Sequence, residues 1–176
     1  MKKEKQIRRF VFLAMMVGLG VVISPILRIE GMCPMAHLIN IVCAVFLGPR
    51  QAFLCAALIG VIRMTLMGIP PLALTGAVFG AALSGVLYQA SRGRIWTAVA
   101  GEIIGTGIIG AVVSYPVMEL FYGRTGLSWL YYVPLFLCGT LIGGALAFVL
   151  LTALSRNGTL REFQRKLGSP VYEMRK

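Results

Sequence analysis

A carboxylate stands inside an apolar run. It is Glu102, in the stretch GEIIGTGIIGAVVSYP over residues 101–116. Thr106 and Gly110 follow it at four-residue steps, so the three share one face of a helix. Gly101 and Gly105 add a second small-residue step, which lets a neighbouring helix approach closely in lipid. A carboxylate turned toward acyl chains is costly, so Glu102 is expected to face protein. His37 and Asn40, three residues apart, share a face of another apolar run. Arg63 lies in the outer third of a further run, Thr75 begins the next, and Tyr115 ends the run that holds Glu102. At about 1.5 Å per residue Arg63 lies about 18 Å up its helix, level with His37, and Glu102 about 10 Å up its own. These side chains can offer a small ligand hydrogen bonds and a ring face. Two readings of Arg63 and Glu102 stand together: each meets the ligand, or the two form an ion pair between helices.

Enzyme chemistry is poorly supplied. There is no G-x-x-x-x-G-K-[ST] phosphate loop, so ATP-driven work by that route needs partners. The chain has no aspartate, which removes metal sites built from aspartates, as in phospholipid synthesis. A Ser-His pair requires contact, whereas Ser84 falls near the inner end of its helix and His37 near the outer end of its own. Cys33, Cys43, Cys55 and Cys138 have no metal-type spacing and read as packed or lipid-facing thiols. No metal or cofactor is expected.

The elements that must position these residues follow from composition. The chain has 176 residues, 58% of them hydrophobic, and a mean hydropathy of +0.84. That predicts an all-α membrane protein. Six transmembrane helices are expected: residues 10–24, 37–47, 52–67, 72–89, 95–120, and a last one ending near 154. A basic N-terminus (1–9) and a basic tail (155–176) complete a single six-helix domain over 1–176. The net charge is +11. Fourteen of the seventeen Lys and Arg fall at the chain ends and in the loops of one side, against Arg28 and Arg124 on the other and Arg63 within the membrane. The positive-inside rule then places both termini in the cytoplasm. This distribution follows the membrane and does not form a face for nucleic acid. The first outer loop, residues 25–36, is apolar; Ile26, Leu27, Ile29, Met32 and Met35 suit a lid over a pocket. Trp129, Tyr131 and Tyr132 suit an interfacial aromatic belt.

Several local patterns together resemble the ThiW family, the substrate-binding S subunits of energy-coupling factor (ECF) vitamin transporters. They are Pro34-Met35-Ala36-His37 with Asn40, Leu47-Gly48-Pro49, Gly60-Val61-Ile62-Arg63-Met64, Gly76 to Gly80 with Gly85, and Gly101 to Gly110 with Tyr115-Pro116. The resemblance runs from the first helix through the fifth. Thr75-Gly76 departs from it, since Pro-Gly is expected there in many relatives. It implies a subunit of the bacterial plasma membrane that captures hydroxyethylthiazole, a thiamine precursor, from outside. It also implies partners, a transmembrane T subunit with two cytoplasmic ATPases, and a toppling motion that carries the closed pocket inward. The small-residue face of Ala14 and Gly18 on the first helix is then the docking surface. His37, Asn40, Arg63, Thr75, Glu102, Thr106 and Tyr115 are the expected substrate-binding set. Two other classes remain open: an S subunit for another vitamin or small heterocycle, and a membrane scaffold or enzyme without transport.

Overall fold

The computed structural model describes residues 2–28, 32–169 and 171. Seven helices follow one another in the order α1 (Lys2–Ile23), α2 (Pro34–Leu47), α3 (Pro49–Met67), α4 (Leu72–Ala90), α5 (Ile95–Tyr122), α6 (Val133–Arg156) and α7 (Thr159–Leu167). The protein is an all-α, multi-pass membrane protein. Five of these helices are long and apolar enough to cross a membrane, and α2, at 14 residues, is the shorter apolar sixth. At about 1.5 Å per residue α2 covers about 21 Å, less than a hydrocarbon core of about 30 Å. It does not need to meet lipid. All its residues except Met35 and Leu38 are buried, packed among the other helices. The outer faces of α1 and α3–α6 expose Met15, Val22, Leu66, Leu120 and Val149, as a hydrocarbon solvent requires.

Local sequence sets the junctions. Gly48 takes φ 88°, a left-handed value that favours glycine, and Pro49 then starts α3 at its first position. One residue therefore reverses the chain between α2 and α3. The turn leaves carbonyls at the end of α2 without intrahelical partners, because Pro49 has no N–H to offer Val45. Other elements supply donors. Arg9 of α1 donates through Nη2 to the Leu47 carbonyl at 2.8 Å and to Gln51 Oε1 at 2.7 Å. Gln164 of α7 donates through Nε2 to the Val45 carbonyl at 3.0 Å, and the same nitrogen lies 3.0 Å from the Tyr88 hydroxyl.

α7 was not expected as an element, for the tail reads as basic. Yet Leu160, Phe163, Gln164 and Leu167 recur at helical spacing. Leu160, Gln164 and Leu167 are buried against the bundle, and Phe163 packs edge-on against Phe46 at 6.1 Å. Arg161, Arg165 and Lys166 face outward. The helix stops at Gly168 (φ 64°), with Ser169 N–H bonding back to the Gln164 carbonyl at 2.9 Å. Arg175 and Lys176, counted with this tail, lie outside the described residues. The basic N-terminus also differs from expectation, being helical from Lys2 rather than preceding the first helix.

α5 carries the other departure. Residues Ile103–Gly110 wind as a π-helix, with hydrogen bonds reaching five residues along, between α-helical ends. Pro116 lies further on, within the α-helical end. The widened turns hold Gly105 against the backbone of α4, where a Cβ would come within 2.7 Å of Gly80 Cα and the Phe79 carbonyl.

The anchoring of α7 can be tested directly. Gln164→Ala removes the buried donor to the Val45 carbonyl. It should lower stability by about 1–3 kcal/mol. Arg161→Ala, on the exposed face, should stay within about 0.5 kcal/mol of wild type. Thermal melts in detergent compare the two.

Candidate substrate-binding site

The helices pass back and forth between two ends. One end carries the start of α1, the α2–α3 turn and α7. A cavity of about 430 Å³ opens at the other. Its walls include Ala36 and His37 of α2, Arg63 of α3, Ala73 and Gly76 of α4, Met118 of α5, Tyr132 just before α6 and Phe136 of α6. Gly76 matters through what it lacks: a Cβ there would lie 2.7 Å from the Phe136 ring, so glycine makes room for an aromatic wall.

Below the cavity lies Glu102, fully buried. His37 Nδ1 stands 2.9 Å from Oε1, Asn40 Nδ2 donates to the same oxygen at 3.0 Å, and Thr106 Oγ1 at 3.1 Å. Ser84 Oγ reaches Oε2 at 3.4 Å and donates more closely to the Ala98 carbonyl, at 2.7 Å. Donors from α2, α4 and α5 thus converge on one carboxylate. Gly80 of α4 permits this approach, because a Cβ there would collide with the Glu102 and Thr106 side chains. A carboxylate only accepts, so the proton of the His37 contact sits on Nδ1. Nε2 is then the ring nitrogen left for the cavity that His37 lines.

Arg63 does not pair with Glu102. It is 4% exposed, and its guanidinium donates through Nη2 to the Cys33 sulfur at 3.4 Å, while Nε has no partner. The ion pair read as possible from the sequence fails because His37 and Asn40 occupy the carboxylate. The depths read from helical rise separated Glu102 from His37, and a side-chain contact joins them. For the same reason Ser84 and His37, read as lying at opposite ends of their helices, meet a common partner. They make no contact with each other, since each spends its hydrogen bond on Glu102 or a backbone carbonyl.

The remaining expected residues fall in three places. His37 and Arg63 line the cavity. Asn40, Glu102 and Thr106 form the network beneath it. Thr75 and Tyr115 lie outside the lining: Thr75 Oγ1 is 2.6 Å from Ser114 Oγ, and the Tyr115 ring packs on Trp129 at 4.9 Å. Ala14 and Gly18 are exposed on the outer face of α1, and a Cβ on Gly18 would meet nothing. Around the mouth, the loop after α1 contributes Arg28 to the lining, whereas Ile26 and Leu27 point away and are more than half exposed. Ile29, also expected in a lid, lies outside the described residues. Tyr132 leaves the aromatic belt altogether. It is 4% exposed, lines the cavity, and its hydroxyl has no partner, while Trp129 and Tyr131 are exposed.

Sequence reasoning missed Cys33, which donates to the Ser24 carbonyl at 2.8 Å and accepts from Arg63. It thereby ties the loop to the cavity wall. Its position just before Pro34, outside the apolar runs, was the available signal.

Fold and site together define a helical membrane protein with a ligand-sized cavity at one end and a hydrogen-bonded carboxylate beneath it. Residues 10–157 match the family described as Thiamine-precursor transporter protein (ThiW). The chain belongs to that family. No curated protein and no solved structure matches it.

The carboxylate network makes a stability prediction. Glu102→Ala should cost about 1–3 kcal/mol for each buried donor that finds no new acceptor. Glu102→Gln, which keeps one acceptor oxygen, should cost less. Melting temperatures of the two variants in detergent check the order.

Proposed function

We propose that this protein is the S subunit of an ECF-type importer, capturing hydroxyethylthiazole outside the cell. It then acts as a binding and delivery subunit, not an enzyme, and works with a transmembrane T subunit and two ATPases. The observation that carries this reading is the cavity, together with membership of a thiamine-precursor transporter family. Its volume lies in the usual range for small-molecule sites, about 300–1,000 Å³. It opens at the end opposite α1's basic start and α7. With the charge distribution placing those in the cytoplasm, the mouth faces outward.

Hydroxyethylthiazole offers a ring nitrogen, a hydroxyl and an apolar ring. In this reading Phe136 and Met118 take the ring, and His37 Nε2 bonds one polar group. Asn40, Glu102 and Thr106 act through His37 by fixing its tautomer and orientation. Thr75 and Tyr115 support the helix ends that frame the mouth.

The exposed, small-residue face of α1 at Ala14 and Gly18 is the docking surface for the T subunit. A smooth face lets a partner helix approach closely where no hydrophobic force drives association.

Two measurements test the proposal. By calorimetry, purified protein should bind hydroxyethylthiazole, and His37→Ala should weaken binding about ten- to hundredfold, the cost of one unpaired buried group. Absence of binding by the wild type rejects the substrate. Ala14→Trp should keep ligand affinity while losing co-purification with the T subunit and uptake in cells. Normal uptake by that variant rejects the docking face.

A further inference from the structure

Three arginines reach the cavity from three separate segments: Arg28 after α1, Arg63 within α3, and Arg124 after α5. Among the described residues no carboxylate lines it. The buried carboxylate beneath, Glu102, is engaged through Oε1 by His37, Asn40 and Thr106 and stands behind His37. Arg28 and Arg124 are exposed at the mouth, and neither guanidinium has an ion pair or hydrogen bond among the described residues. Glu30 lies outside those residues.

Arg63 is the informative one. Among the described residues it is buried with only a thiol sulfur, a weak acceptor, against its guanidinium, and its Nε has no partner. The Tyr132 hydroxyl, buried on the same cavity, is likewise unpartnered. A cation at membrane depth is costly unless it is paired, and unpaired buried donors add to that cost. A neutral ligand satisfies hydrogen bonds and leaves the charge standing. A carboxylate or phosphate satisfies both, and it fits the fork of a guanidinium.

We infer that the cavity holds its substrate by an oxyanion, a carboxylate or phosphate monoester carried on the heteroaromatic ring. Arg63 and the Tyr132 hydroxyl bind it, and Arg28 and Arg124 draw it to the mouth. This rests on the thiazole reading above and deepens it: the preferred substrate is an acidic derivative of the thiazole.

The test is calorimetry on the full chain in nanodiscs. The probes are hydroxyethylthiazole, its phosphate monoester, a thiazole carboxylate and inorganic phosphate. At least one acidic thiazole should bind tenfold or more tightly than the alcohol, with affinity falling as salt rises. Arg63→Gln should bring that ratio close to one. Should Arg63→Gln fail to fold, the rim variant R28Q/R124Q should still reduce the ratio and its salt dependence severalfold. Equal or tighter binding of the alcohol by wild type overturns the oxyanion inference and leaves the thiazole reading intact. Phosphate binding without any thiazole binding does the reverse. An acidic preference that appears only in Glu30→Gln overturns the inference, since the wild-type cavity then carries its own counter-ion. Nanodiscs of zwitterionic lipid and of phosphatidylglycerol separate the last source. The same preference in both supports a soluble substrate, and its loss in phosphatidylglycerol assigns the oxyanion to a lipid headgroup and overturns the substrate claim.

Discussion

The bundle is arranged around one constraint: a carboxylate placed where water does not reach must be met by donors from every side. Glu102 is fully buried, and its partners come from α2, α4 and α5. The contacts fix more than the carboxylate. They set the depth of α2, because His37 and Asn40 must both reach Oε1. They also set the spacing of α4 and α5, because only a glycine at position 80 leaves room for the carboxylate and the Thr106 hydroxyl. In lipid, helices gain little from burying apolar surface against one another, so such contacts carry more of the specification.

That constraint separates two layers of polarity. The lower layer turns inward: His37, Asn40 and Thr106 all meet Oε1 of Glu102, and of these His37 also lines the cavity. The upper layer is open, with Arg63 and Tyr132 holding unmet hydrogen-bonding atoms beside the cavity. An inward layer specifies the fold, whereas an open one awaits something from outside the chain. The two meet at His37, which bonds Glu102 on one side and lines the cavity on the other.

Much of this was legible in the sequence, and the limits have physical causes. Apolar run length and loop punctuation mark the helices because lipid demands long apolar segments and Gly or Pro ends them. Glu102 could be assigned to a protein-facing position because the alternative is costly. Its partners could not, since rise along separate helices gives depth only to within a turn, and a long side chain spans that error. Arg63 illustrates this: a pairing with Glu102 is plausible by depth and lost to competitors on α2. The π-helical turns of Ile103–Gly110 shift the register that four-residue steps assume, although Thr106 still reaches Glu102. α7 was hidden by its charge, as its basic residues drew attention from the apolar spacing beneath them.

The seat of α7 has a consequence for how the protein is made. Val45 lies in the last turn of α2, in the first half of the chain, and its carbonyl waits for an amide 119 residues later. A ribosome releases residues in order, so Gln164 emerges well after Val45. Through the insertion of four further helices, that end of the bundle has to remain hydrated or borrow a partner. Its closure therefore follows the insertion of α3–α6. A chain stalled or clipped after α6 would hold every membrane-crossing segment and still lack its seal.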